Sequence, residues 1–73
     1  MNWNKKNDEY MTIGDPERLL FVLEKISHDE ELPWLLQMSI NGNEEVYIGE
    51  YESIKDAEDE LKDLSRELNK IVG

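Results

Sequence analysis

The strongest constraint in the chain is a row of apolar residues near its end: Ile54, Ala57, Leu61, Leu64, Leu68 and Ile71. The intervals alternate between three and four, which places all six on one stripe of a helix. Such a helix needs a surface to bury its stripe against. The segment just before it, Val46-Tyr47-Ile48-Gly49-Glu50-Tyr51, reads as a strand able to supply one. Ser53 and Asp56 have the spacing of a capping box at the helix start.

A second strand is read from Trp34 to Ile40. Trp34, Leu36, Met38 and Ile40 share one face, and Leu35, Gln37 and Ser39 the other. Asn41-Gly42-Asn43 marks a turn between the two strands. A two-residue loop would put Val46 and Ile48 on the wrong face. A loop of three or five residues, with Ile40 opposite Glu44 or Val46 and Gly42 or Asn43 at positive φ, gathers the apolar residues together. Gly49 marks a bulge or a close approach of the helix.

Upstream, Glu9 to Ile13 is a short candidate strand, with Met11 and Ile13 on one side and Tyr10 and Thr12 on the other. Asp15-Pro16-Glu17 carries the marks of a helix start: a capping carboxylate, a proline at the first helical position and an acid at the positive dipole end. Leu19 to Ile26 is accordingly read as a helix. It is apolar over more than half its circumference, so it is either sandwiched or offers a face to a partner. Residues 1–8 are polar and are read as a mobile arm, with residues 9–73 forming one domain.

The resulting expectation is an α+β domain of β-α-β-β-α order. It has a three-stranded antiparallel sheet, third strand central, with two helices on one face. The run from Trp34 to Leu64 resembles the strand–strand–helix piece of small DNA-binding domains of the AP2-like arm-binding type. The basic residues with which those sheets read the major groove are absent.

Seventy-three residues without cysteine make one small domain with no disulfide and no thiolate metal site. No apolar run reaches the length of a membrane span, and Met1-Asn2-Trp3-Asn4 opens no signal-peptide h-region, so a soluble cytoplasmic protein is expected. The formal charge of −10 is concentrated. Between Asp29 and Asp63 lie twelve acids against two bases, Lys55 and Lys62, which accounts for all of it. Direct binding to nucleic acid or an anionic membrane is disfavoured.

The lone histidine, His28, sits at the end of the expected first helix. It lacks the nucleophile and orienting partner of a hydrolytic triad, so no catalytic residue is assigned and no enzyme is expected. The acids of the last helix lack EF-hand spacing, and a helix cannot wrap its own ligands around a cation; no metal or cofactor is expected. The same acids form a better surface than a site. Asp56, Glu60, Asp63 and Glu67 make one acidic line along the helix, while Glu58, Lys62 and Arg66 make a mixed one. Asp59 lies between them. Glu44, Glu45, Glu50 and Glu52 extend the charge along the hairpin.

These nine acids (Glu44, Glu45, Glu50, Glu52, Asp56, Asp59, Glu60, Asp63 and Glu67) are the candidate partner-binding set. Their expected partner is the basic surface of a nucleic-acid-binding enzyme, with carboxylates standing where phosphates otherwise bind. In size and composition the chain resembles small acidic proteins of phages and mobile elements that block restriction, CRISPR or transcription enzymes. The competing expectation is a homo-oligomeric structural or adaptor domain with a solvated acidic face, burying the apolar surface around Leu20, Phe21 and Trp34.

Overall fold

The structure is a computed structural model. It describes the backbone of residues 1–72 and the side chains of residues 1–66. Five strands precede one helix: β1 (Asn4–Asn7), β2 (Tyr10–Gly14), β3 (Leu19–Lys25), β4 (Trp34–Ile40), β5 (Glu44–Tyr51) and α1 (Ile54–Val72). The strands lie in chain order, β1-β2-β3-β4-β5, each antiparallel to the next. α1 packs on one face of this meander. Among the described residues no helix is long and apolar enough to cross a membrane.

This corrects the expected β-α-β-β-α order. The segment from Leu19 to Ile26 is not a helix: Leu19–Lys25 is the central strand, and the sheet has five strands with one helix. Leu19-Leu20-Phe21-Val22-Leu23 is a continuous apolar run, which has no period to distinguish a buried strand from a buried helix. The residues read as a helix start make a tight turn instead. The Asp15 N–H donates to the Leu19 carbonyl at 2.9 Å and the Arg18 N–H to the Asp15 carbonyl at 3.1 Å. The Asp15 carboxylate accepts from the Glu17 N–H at 2.9 Å. An aspartate before a proline suits both roles, because in each it accepts from backbone N–H groups just ahead of it.

Gly14 opens that turn at φ +118°, a conformation that a side chain resists. A Cβ there would lie 2.3 Å from the Leu19 carbonyl oxygen. The stretch read as an arm contains β1, whose four residues are all exposed and pair with β2 through the backbone.

The β4–β5 hairpin follows the expected odd register. Ile40 faces Glu44 across Asn41-Gly42-Asn43, and Met38 faces Val46. Asn41 and Gly42 both have positive φ, 54° and 74°. The ladder slips by one residue at Gly49: Leu36 faces Gly49 while Gln37 faces Tyr47, leaving Ile48 as the extra residue of a bulge. The bulge reverses the alternation, so Val46 and Tyr51 share the helix-facing side although they are an odd number of positions apart. The Tyr51 ring lies over Gly49, where a Cβ would meet its hydroxyl at 2.8 Å.

The core lies between sheet and helix. Met11, Leu23, Trp34, Leu36, Ala57 and Leu61 are buried. Trp3, Ile13, Phe21, Ile48, Tyr51, Ile54 and Leu64 pack around them. Burial of a large apolar side chain is worth about 1.5–3 kcal/mol, so this cluster is the main force holding α1 to the sheet. Ser53 caps the helix, accepting from the Asp56 N–H at 3.2 Å. The remaining stripe residues, Leu68 and Ile71, have side chains outside the described set.

Candidate partner-binding surface

Sheet sidedness sorts the nine acids. Glu45 pairs with Ser39 and Glu50 with Leu35, on the face turned away from α1. Glu44 pairs with Ile40, on the helix side. Glu52 is exposed in the link to α1. Asp56, Asp59 and Asp63 are exposed on the helix, and Glu60 is half-buried and turned towards β5. The Glu67 side chain lies outside the described residues. The set therefore does not form one plane. Glu60 faces the seam between β5 and α1, with Glu44 and Glu52 near the two ends of β5. Asp56 is one turn before Glu60 on the same flank, Asp63 is turned outwards and Asp59 lies opposite the buried stripe, while Glu45 and Glu50 belong to the other sheet face.

Local cations neutralise little of the helix charge. Lys55 Nζ lies 3.6 Å from Asp59, and Arg66 lies 3.8 Å from Asp63. All four side chains are more than half exposed, so each pair contributes at most about 1 kcal/mol. Among the described residues, Glu44, Glu45, Glu50, Glu52, Asp56 and Glu60 enter no ion pair.

Glu58 does something the helical spacing did not indicate. Its carboxylate accepts from the Trp3 indole N–H at 2.8 Å and lies 3.7 Å from the Met1 ammonium. It holds the N-terminal segment across the helix rather than joining Lys62 in a mixed line. Residues 55 positions apart leave no pattern in the chain, so only the fold reveals the contact.

Between α1 and β5 is an apolar hollow of about 340 Å³, lined by Phe21, Met38, Val46, Ile48 and Leu64, with Glu60 at its rim. Val46, on the helix side, remains 39% exposed at this hollow, and Tyr47, whose strand position faces the other way, is 62% exposed along the same edge. The Tyr51 phenol is held above its ordinary range. Burial is the main cause; the Glu60 carboxylate and Tyr47 add to it. Glu60 thus acts on the hairpin as well as on solvent.

His28 lies on the surface with Nε2 3.3 Å from a Glu9 carboxylate oxygen. The helix at whose end it was expected to sit is the strand β3. Among the described residues no group of three or more His, Asp or Glu side chains is arranged to hold a metal ion. The arrangement offers exposed charge around an apolar seam. No protein-family model, curated protein or solved structure matches this chain.

Proposed function

We propose that the chain is a small acidic protein-binding module, an inhibitor or regulator that docks on the basic surface of a nucleic-acid-binding protein. One observation carries this reading: Glu44, Glu52, Asp56 and Glu60 flank the β5–α1 seam with no cation of their own chain paired to them among the described residues. Asp59 and Asp63 add charge that only exposed lysine and arginine offset. Like charges at helical spacing weaken a helix by a few tenths of a kcal/mol, so this row disfavours folding slightly. Carboxylates spaced along an edge suit a surface whose lysines and arginines otherwise grip phosphates. The exposed Val46 beside the apolar hollow gives such a contact a desolvated centre.

The test is capture from lysate on immobilised protein, eluted by a salt gradient and by duplex DNA. A nucleic-acid-binding protein released by both is the expected result. The triple reversal Asp56→Lys, Glu60→Lys and Asp63→Lys is expected to abolish its capture. Capture indifferent to salt, or unchanged by the reversals, refutes the reading.

A further inference from the structure

We infer that the sheet face turned away from α1 is a homodimer interface, in which a second copy packs face to face with β3 over β3. The first argument is the pattern of β3 itself. Phe21 and Leu23 point to the helix side, while Leu20 and Val22 point the other way. A strand apolar on both faces is the pattern of a sheet covered on both sides. In this chain α1 covers only one.

The register shows what the open face presents. Three rows cross it: Tyr10–Glu24–Leu35–Glu50, Thr12–Val22–Gln37–Tyr47 and Gly14–Leu20–Ser39–Glu45. On β3 and β4, Leu20, Val22 and Leu35 alternate with Ser39, Gln37 and Glu24, so the face is a mixed apolar and polar one, as non-obligate protein–protein interfaces are. Glu24 stands on the central strand, and the other charges are divided between the two edges. Lys6 stands over the Tyr10 ring, 5.8 Å from its centroid, at the β1 edge. Glu45 and Glu50 stand at the β5 edge.

Charge decides how the copies are related. A two-fold axis parallel to β3 reverses the strand order but keeps the height of each row. Lys6 of each copy then lies over Glu50 of the other. An axis across the strands would keep the strand order and reverse the rows, setting Glu45 over Glu50, like charge on like. The first arrangement brings Glu24 near its own symmetry mate; within each chain Glu24 shares a surface hollow with Lys6. In this dimer the α1 acids point outwards. With layers about 10 Å apart, the two helices stand about 30 Å apart, several Debye lengths at physiological salt. Distance between the helices removes little of the repulsion, however: α1 has six acids against four bases, so most of the net charge of −10 lies on the sheet and its loops, and the dimer is expected to tighten as salt is added.

Strand spacing and rise give the face roughly 19 by 20 Å, or about 1,000 Å² buried in total once surface relief is counted. That is at the lower limit for a specific interface, so a dimer dissociating in the micromolar range is expected.

Sedimentation equilibrium on the full chain from about 1 to 200 μM tests this. Twice the chain mass at the upper concentrations is expected. Val22→Lys is expected to give a monomer with unchanged far-UV circular dichroism. Lys6→Glu and Glu50→Lys should each weaken the dimer ~10-fold, and their combination should restore it. Glu24→Gln should tighten it. A wild-type monomer throughout, or a dimer insensitive to Val22→Lys, overturns the interface. Failure of the Lys6→Glu/Glu50→Lys pair to restore association overturns the stated geometry.

Discussion

Gly14→Ala is the single substitution expected to damage this fold most for the fewest atoms added. Two effects combine. At φ +118° an alanine is strained by about 1–3 kcal/mol, because L side chains rarely occupy that region. Its Cβ would also stand 2.3 Å from the Leu19 carbonyl oxygen, a backbone atom that cannot swing aside. That carbonyl accepts the hydrogen bond from Asp15 N–H, so relief of the clash breaks a bond worth roughly 1 kcal/mol. The sum is about 2–4 kcal/mol. At 0.05–0.15 kcal/mol per residue, a domain of this length holds roughly 4–11 kcal/mol in all. For domains of 60–100 residues each kcal/mol moves Tm by about 4–8 °C, so a fall of at least about 8 °C is expected.

The control is Gly42→Ala in the β4–β5 turn. Gly42 also has positive φ, 74°, but the nearest atom to its Cβ is the Pro16 carbonyl oxygen at 3.5 Å. There only the left-handed preference is lost, about 1–2 kcal/mol. Thermal unfolding followed by far-UV circular dichroism compares the two. If Gly14→Ala melts at or above Gly42→Ala, the argument from the close approach of Leu19 is refuted.

Trp3→Phe keeps an aromatic ring but removes the indole donor to Glu58. A double-mutant cycle with Glu58→Ala, read by urea denaturation, should give a coupling near 1 kcal/mol, and a coupling near zero would show that the bond contributes nothing. Ser53→Ala removes the cap of α1 and should lower stability by about 0.5–2 kcal/mol, whereas Ser53→Asp should restore most of it. The raised Tyr51 pKa makes stability depend on alkali. The folded state holds the phenol neutral, so its contribution is intact below the ordinary tyrosine value of 10.0 and is lost as pH rises through the higher folded value. Denaturation midpoints from pH 8 to 11 should therefore fall less in Tyr51→Phe than in the parent, and parallel curves would exclude Tyr51 as the cause.

The hairpin and helix were legible because their signals are periodic and mutually consistent. The stripe on α1, the Ser53 cap and the Asn41-Gly42-Asn43 turn each demand the same arrangement. β3 was not legible, since its apolar run has no period and the turn before it uses the residues that also start helices. β1 gave no signal at all: Asn4-Lys5-Lys6-Asn7 buries nothing and is held by backbone pairing. Short, lysine-bearing strands of this kind are common at sheet edges, where they discourage pairing with other chains.

The acidic set was legible as composition but not as a surface. Glu45 and Glu50 differ by an odd number of residues, so simple alternation puts them on opposite faces. The bulge at Ile48 returns them to the same one. A one-residue irregularity thus decides which acids stand together, and no property of the acids themselves reports it.

The strictly sequential order of the strands also has a consequence for biosynthesis. Every β-pair joins neighbours along the chain, so each hairpin can form soon after its second strand leaves the ribosome, and contact order is low for a β-rich fold. The cover for the apolar face, however, is α1, which is translated after all five strands. At about 5–20 residues per second, the nascent sheet waits roughly 1–4 s for those 19 residues. During that interval Met11, Leu23 and Leu36 lie bare on a growing sheet. Slow codons within α1 would lengthen this exposure and increase the demand for chaperones without altering a single residue.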